Sequence, residues 1–135
     1  MLRGLSTISL YADDVAKARE WYADLLGIEA YFVRPPEGPP AYVEFRIGDY
    51  QHELGIIDRR YAPAGLAPGA GVVAYWHVDD VAATYARLLS MGATELEAPT
   101  ERGPGFTTAS VVDPFGNVVG VMYNKHYLET LGARA

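Results

Sequence analysis

The sequence predicts an α+β chain of two successive modules, each a strand, a helix and three further strands. Three observations predict it. Asp13-Asp14-Val15-Ala16 recurs as Asp79-Asp80-Val81-Ala82, the mark of an internal repeat. Each copy follows a short alternating apolar segment and opens a stretch of helical periodicity. A strand, a tight turn and a second strand then close each copy at nearly the same offset.

The first strand sets Ile8 and Leu10 against Thr7, Ser9 and Tyr11. Asp13-Asp14 supply oxygens for the free N–H groups of a helix start. Val15, Ala18, Tyr22, Leu25 and Leu26 recur on one helical face, and Gly27 supplies the stop. A strand is expected from Glu29 to Val33, followed by the stiff loop Arg34-Pro35-Pro36-Glu37-Gly38-Pro39-Pro40. Tyr42, Glu44 and Arg46 share one strand face, lining either a binding cleft or a solvated edge. The turn at Ile47-Gly48-Asp49-Tyr50 leads into a strand with Leu54 and Ile56 opposed to Glu53, Gly55 and Ile57. Tyr61 to Gly71, with Pro63, Gly65, Pro68 and Gly69, reads as a linker.

The second module repeats the scheme. Ala74, Trp76 and Val78 alternate with Val73, Tyr75 and His77, and Trp76 is expected in the core. Val81, Tyr85, Leu88 and Leu89 form the next helical face, which Gly92 stops. A strand is expected from Thr94 to Glu97, and Thr100 to Gly105 as a loop matching the first proline loop. Val112-Asp113-Pro114-Phe115-Gly116-Asn117 is the clearer of the two hairpin turns. Beyond it, Val119 and Val121 oppose Val118, Gly120 and Met122. Asn124 to Ala135 has the spacing for a short helix through Tyr127, Leu128 and Leu131. One domain is expected, with modules at about 1–62 and 70–123 and a tail at 124–135. Neither half is large enough to bury a comfortable core alone.

Composition narrows the function. A formal charge of −6 and the lack of a basic cluster beyond Arg59-Arg60 oppose nucleic-acid binding. No apolar run is long enough to span a bilayer, and no signal-peptide core opens the chain. With no cysteine there is no disulfide, thiol nucleophile or thiolate metal site, and the cytoplasm is the expected location. Gly103-Pro104-Gly105 lacks the Lys-Ser/Thr of a phosphate loop, and no serine sits in a nucleophile elbow.

Taken in order and twice over, the motifs resemble the vicinal oxygen chelate superfamily of glyoxalase I, bleomycin-resistance proteins, fosfomycin-resistance enzymes and extradiol dioxygenases. In the first half the resemblance is carried by Asp14-Val15, Trp21-Tyr22 and Leu25-Leu26-Gly27. In the second it is carried by Val78-Asp79-Asp80-Val81, Met91-Gly92-Ala93 and Asp113-Pro114-Phe115-Gly116-Asn117. It implies a pair of βαβββ modules forming a curled mixed sheet around a cleft, with helices on the outer face. Homodimers are common among such proteins. One scaffold here serves lyases, isomerases, dioxygenases and pure binding proteins, so the site decides the function.

Enzymes of that superfamily hold a divalent metal with His, Glu or Gln from the first and last strands of each module. Counted onto this chain, the four positions are Thr7, Gly55, Val73 and Gly120. Valine and glycine cannot coordinate, and a lone threonine hydroxyl is a poor ligand. Glu53 shares a strand face with Gly55, and His77 with Val73, but two ligands are too few for a catalytic centre. No cofactor is therefore expected.

The mixed strand faces have the make-up of a ligand site, with apolar walls and a few placed polar groups. The expected ligand contacts are Tyr11, Tyr75, His77 and Glu53, with Thr7 and Ser9 as polar floor, and the two glycines leave room for ligand bulk. His77 suits either a general base or a hydrogen-bonded structural role, and Glu53 either a cation contact or a partner for Arg46. The leading expectation is a protein similar to the bleomycin-resistance type, a homodimer that sequesters an aromatic or cationic small molecule without a metal. The alternatives are a lyase, isomerase or dioxygenase with a displaced metal site, and a metal-free acid–base enzyme using His77 and Glu53.

Overall fold

Asp14 and Asp80 begin helices for the reason their sequence context implies. Each has extended backbone, and its side chain accepts from the N–H three residues on, Lys17 N at 3.1 Å and Ala83 N at 2.9 Å. The first helix ends at Gly27, whose φ of 68° is the left-handed conformation that only glycine adopts cheaply.

The computed structural model describes residues 1–64, 66 and 71–134. Gly65, Pro68 and Gly69 of the expected linker lie outside the described residues. The chain divides into two units, Met1–Leu66 and Ala67–Ala135. The first contains β1 (Thr7–Ala12), α1 (Val15–Leu26), β2 (Phe32–Arg34), β3 (Tyr42–Ile47) and β4 (His52–Asp58), then a single 3-10 turn at Arg59–Tyr61. Its strands form one mixed sheet in the order β1-β4-β3-β2, with β1 parallel to β4 and the other pairs antiparallel. The second contains β5 (Tyr75–His77), α2 (Val81–Ser90), β6 (Thr94–Gly103), β7 (Phe106–Val112), β8 (Val118–Asn124) and α3 (Lys125–Arg134). Its sheet order, β5-β8-β7-β6, repeats the first, with β5 parallel to β8. This is the α+β, twice-repeated architecture that the sequence predicts.

Helices α1 and α2 each cover one face of the sheet in their own unit. Ala12, Val15, Ala18, Tyr22, Val43, Phe45, Leu54 and Ile56 are buried in the first unit. Val81, Tyr85, Leu88, Ala93, Ala109, Val111, Val119 and Val121 are buried in the second. Full burial of such a side chain is worth about 2 kcal/mol, so these residues fix which face of each strand turns inward. Asp113 is buried too, because its Oδ1 accepts from Phe115 N at 2.9 Å and Asn117 N at 2.8 Å and so holds the β7–β8 turn together.

Three expectations need correction. The strand expected at Glu29 to Val33 forms only as Phe32–Arg34, because cross-strand bonding begins where Tyr31 N donates to Glu44 O. Thr100 to Gly105 is not a loop: β6 continues to Gly103, pairing Thr100 with Thr108 and Glu101 with Thr107. Register shifts on both sides of Pro99 absorb the residue, and an edge strand can spare its missing N–H. Trp76, expected in the core, is half-buried on the short edge strand β5.

Candidate functional site

With Val43, Phe45, Leu54 and Ile56 turned toward α1, the alternate residues of the first sheet share its open face. Register arranges them in rows. Thr7, Glu53 and Arg46 form one row; Ser9, Gly55, Glu44 and Phe32 form the next; Tyr11, Ile57, Tyr42 and Arg34 form the third. Four of the sequence-predicted contacts, Thr7, Ser9, Tyr11 and Glu53, thus come together on one surface. Tyr42, Glu44 and Arg46, which the sequence left between cleft and edge, lie on the same surface.

Two carboxylates stand on this face in different company. Glu53 accepts from Thr7 Oγ1 at 2.7 Å and from Arg46 Nη2 at 3.0 Å. The Thr7 hydrogen bond, with the Arg46 guanidinium beside it, holds Glu53 below the ordinary carboxylate range. Glu44 accepts instead from the neutral hydroxyl of Tyr42. Loss of hydration and the nearby Glu53 charge raise Glu44 above its ordinary value, against a smaller pull from Arg46. Desolvation and Glu53 also raise Tyr42, which therefore stays a hydrogen-bond donor near neutral pH.

The open face has no gap at Gly55, contrary to expectation. A Cβ built there would lie 2.7 Å from Tyr42 Oη and 2.9 Å from its Cε1, so the tyrosine fills that space. The same holds at Gly120, where a Cβ would lie 2.7 Å from Tyr75 Cδ1. Tyr75 is directly paired with Gly120 and is 42% exposed. Each glycine therefore accommodates an aromatic ring from its own sheet.

His77 belongs to the second unit and is enclosed there, its side chain only 8% exposed. The ring stacks on Tyr127 of α3 at 4.6 Å between centroids and 8° between planes, with Tyr123 at 5.3 Å. Its Nδ1 accepts from Asn124 N at 3.2 Å, so the proton of the neutral ring resides on Nε2. That nitrogen lies 3.7 Å from Asp79 Oδ1 and makes no hydrogen bond among the described residues. Stacking under α3 could not be foreseen from strand alternation, because the covering residue comes from the tail.

The family model for the Glyoxalase/Bleomycin resistance protein/Dioxygenase superfamily matches residues 4–121. The chain belongs to this superfamily. Solved glyoxalase-superfamily structures share its fold. A lactoylglutathione lyase from Agrobacterium tumefaciens is similar at 25% identity and a TM-score of 0.68, over 94% of this chain and 98% of that one. A superfamily member from Sphaerobacter thermophilus matches at 20% identity and a TM-score of 0.71, over 90% and 98%. TioX from Micromonospora sp. ML1 matches at 15% identity and a TM-score of 0.68, again over 90% and 98%. No curated protein matches the chain.

A divalent metal does not fit the four positions that the resemblance counts onto this chain, Thr7, Gly55, Val73 and Gly120, and the register sets Glu53 rather than Gly55 beside Thr7. Thr7 donates its hydroxyl to Glu53, Val73 is apolar, and tyrosine rings fill the space above Gly55 and Gly120. Among the described residues, no three His, Cys, Asp or Glu side chains are grouped to hold a metal ion. No helix among them is long and apolar enough to cross a membrane.

Proposed function

We propose that this glyoxalase-superfamily chain binds a small aromatic or cationic molecule and uses no metal. The supporting observation is the division of the first sheet. Its helix side is closed by Val43, Phe45, Leu54 and Ile56, each at most 2% exposed, while the other side carries hydroxyls, rings and carboxylates. A face with a few oriented polar groups among aromatic rings is suited to selecting a ligand. In this reading Thr7, Ser9, Tyr11 and Glu53 serve the first unit and Tyr75 the second, where the enclosed His77 contributes by holding α3 in place rather than by direct contact. The protein works without a cofactor, in the cytoplasm and as a homodimer, and it engages neither nucleic acid nor membrane.

The test is a panel of aromatic and cationic compounds titrated against intrinsic Trp and Tyr fluorescence. Saturable changes that weaken in Tyr75→Ala support the reading, and an unchanged emission across a broad panel overturns it. A second reading, a metal-dependent enzyme, is favoured by the 25% identity to the lactoylglutathione lyase. Elemental analysis after purification without chelator separates the two. A near-stoichiometric transition metal, lost together with an activity in Glu53→Ala, would replace the binding reading.

A further inference from the structure

Glu44 is the carboxylate of the open face that makes no ion pair among the described residues. Arg46 is committed elsewhere: it pairs with Glu53 at 3.0 Å, and its guanidinium lies over the Tyr31 ring at 4.9 Å. Arg34 is turned onto the Phe32 ring at 4.1 Å and donates to Val33 O at 2.8 Å. Among the described residues, Glu44 therefore has the neutral Tyr42 hydroxyl as its partner and no ion pair. A carboxylate so placed gains more from an incoming positive charge than Glu53, whose two donors are already in place.

Its neighbours determine which kind of cation fits. Phe32 is the cross-strand partner of Glu44, and its ring meets the Tyr42 ring edge-on at 6.0 Å between centroids. Gly55 lets Tyr42 settle on the sheet, since any side chain there would lift the ring. Rings beside a carboxylate favour a weakly hydrated organic cation, which keeps both the charge contact and the ring contact. A divalent metal would need further oxygen or nitrogen donors that this surface does not group together.

We propose that Glu44, Tyr42 and Phe32 form a recognition point for the cationic nitrogen of an aromatic ligand, with Gly55 setting the depth of the tyrosine ring. This rests on the small-molecule reading and names the charged end of that ligand. Glu44 supplies the counter-charge, and the exposed part of the Tyr42 ring packs against the ligand. Glu53 and Arg46 act as a neutralised pair bordering the point.

N-methylquinolinium and quinoline, nearly equal in shape and differing in charge near neutral pH, are titrated into the full ¹⁵N-labelled chain. The cation is expected to bind about tenfold tighter than the neutral ring, shifting amides of Phe32, Tyr42, Glu44 and Gly55. Glu44→Gln should reduce that preference to roughly parity, whereas Arg34→Gln, which removes the competing cation, should tighten binding. Tyr42→Leu should weaken both compounds, and Tyr42→Phe should retain the preference for the cation. Unshifted amides outside the first sheet check that each variant remains folded. Equal binding of the two compounds, or an undiminished preference in Glu44→Gln, overturns the proposal. Binding of either compound elsewhere also overturns it while leaving the small-molecule reading intact. Failure of these probes and of the broad panel together overturns both.

Discussion

Tyr42 occupies the place where a side chain at Gly55 would stand, its hydroxyl oxygen 2.7 Å from a Cβ built on that glycine. The two residues lie on adjacent antiparallel strands, one diagonal step apart, because Gly55 pairs with Glu44 and Tyr42 with Ile57. The hydroxyl of Tyr42 is thereby brought back to Glu44 on its own strand.

Gly55→Ala forces the ring to move and should cost about 1–3 kcal/mol, as other overpacked positions do. In the Tyr42→Ala background the same substitution should cost much less, giving a clear coupling energy in a double-mutant cycle followed by urea denaturation. Additive losses would mean that the ring and the glycine are energetically independent.

The two carboxylates should titrate in a fixed order. Glu53 is lowered by its Thr7 and Arg46 contacts, and Glu44 is raised by desolvation and by Glu53. Side-chain ¹³C shifts across an acid titration should therefore report Glu44 gaining its proton at a higher pH than Glu53. The stability terms have opposite signs. Ionised Glu53 stabilises the fold above its unfolded value, and that term is lost as pH falls through its lower folded value. Glu44 favours the folded chain while protonated, and that term fades as pH rises from its unfolded value through its higher folded value. Thr7→Val should move Glu53 back toward the ordinary range, detectable in the same experiment.

The β7–β8 turn depends on one buried side chain. Asp113 Oδ1 receives two backbone N–H groups, and its Oδ2 accepts from Asn117 Nδ2 at 3.3 Å. Asp113→Ala leaves those donors without a buried acceptor and should cost about 1–3 kcal/mol in chemical denaturation. Asp14→Ala and Asp80→Ala, which remove exposed caps, should each cost about 1 kcal/mol.

Tyr127 and His77 tie α3 to β5. Tyr127→Ala removes the stacked ring and should destabilise this contact by about 1 kcal/mol. Hydrogen exchange should then quicken in residues 125–134 and at the Asn124 amide that His77 accepts. Unchanged protection of that amide would mean that its bond to His77 persists without the stack.

Much of the fold was legible because local chemistry and burial point the same way. Asp14, Asp80 and Asp113 each hold nearby backbone N–H groups, and short-range spacing is enough to reveal that. The inward faces of the last strands were equally plain, since Leu54 and Ile56, like Val119 and Val121, stand on one alternation and are buried. What escaped depends on pairing across strands. The length of β6 was hidden because Thr100 to Gly105, with Gly103-Pro104-Gly105, reads locally as a loop, while Thr100 and Glu101 still pair with β7 across a shifted register. The face of Glu44 was undecided until Arg46 paired with Glu53, and the filling of Gly55 required knowing that Tyr42 lies diagonally beside it.

The long strand β6 has a further consequence for a crowded solution. Its outermost backbone is a ready template for growth by annealing of identical chains, and Thr94 to Arg102 are all exposed along it. Pro99 removes one donor from that rim, the shifted register bends it, and Glu95, Glu97 and Glu101 set like charges against any copy that approaches in line. Fibre formation through this rim is thereby discouraged by residues of the strand itself.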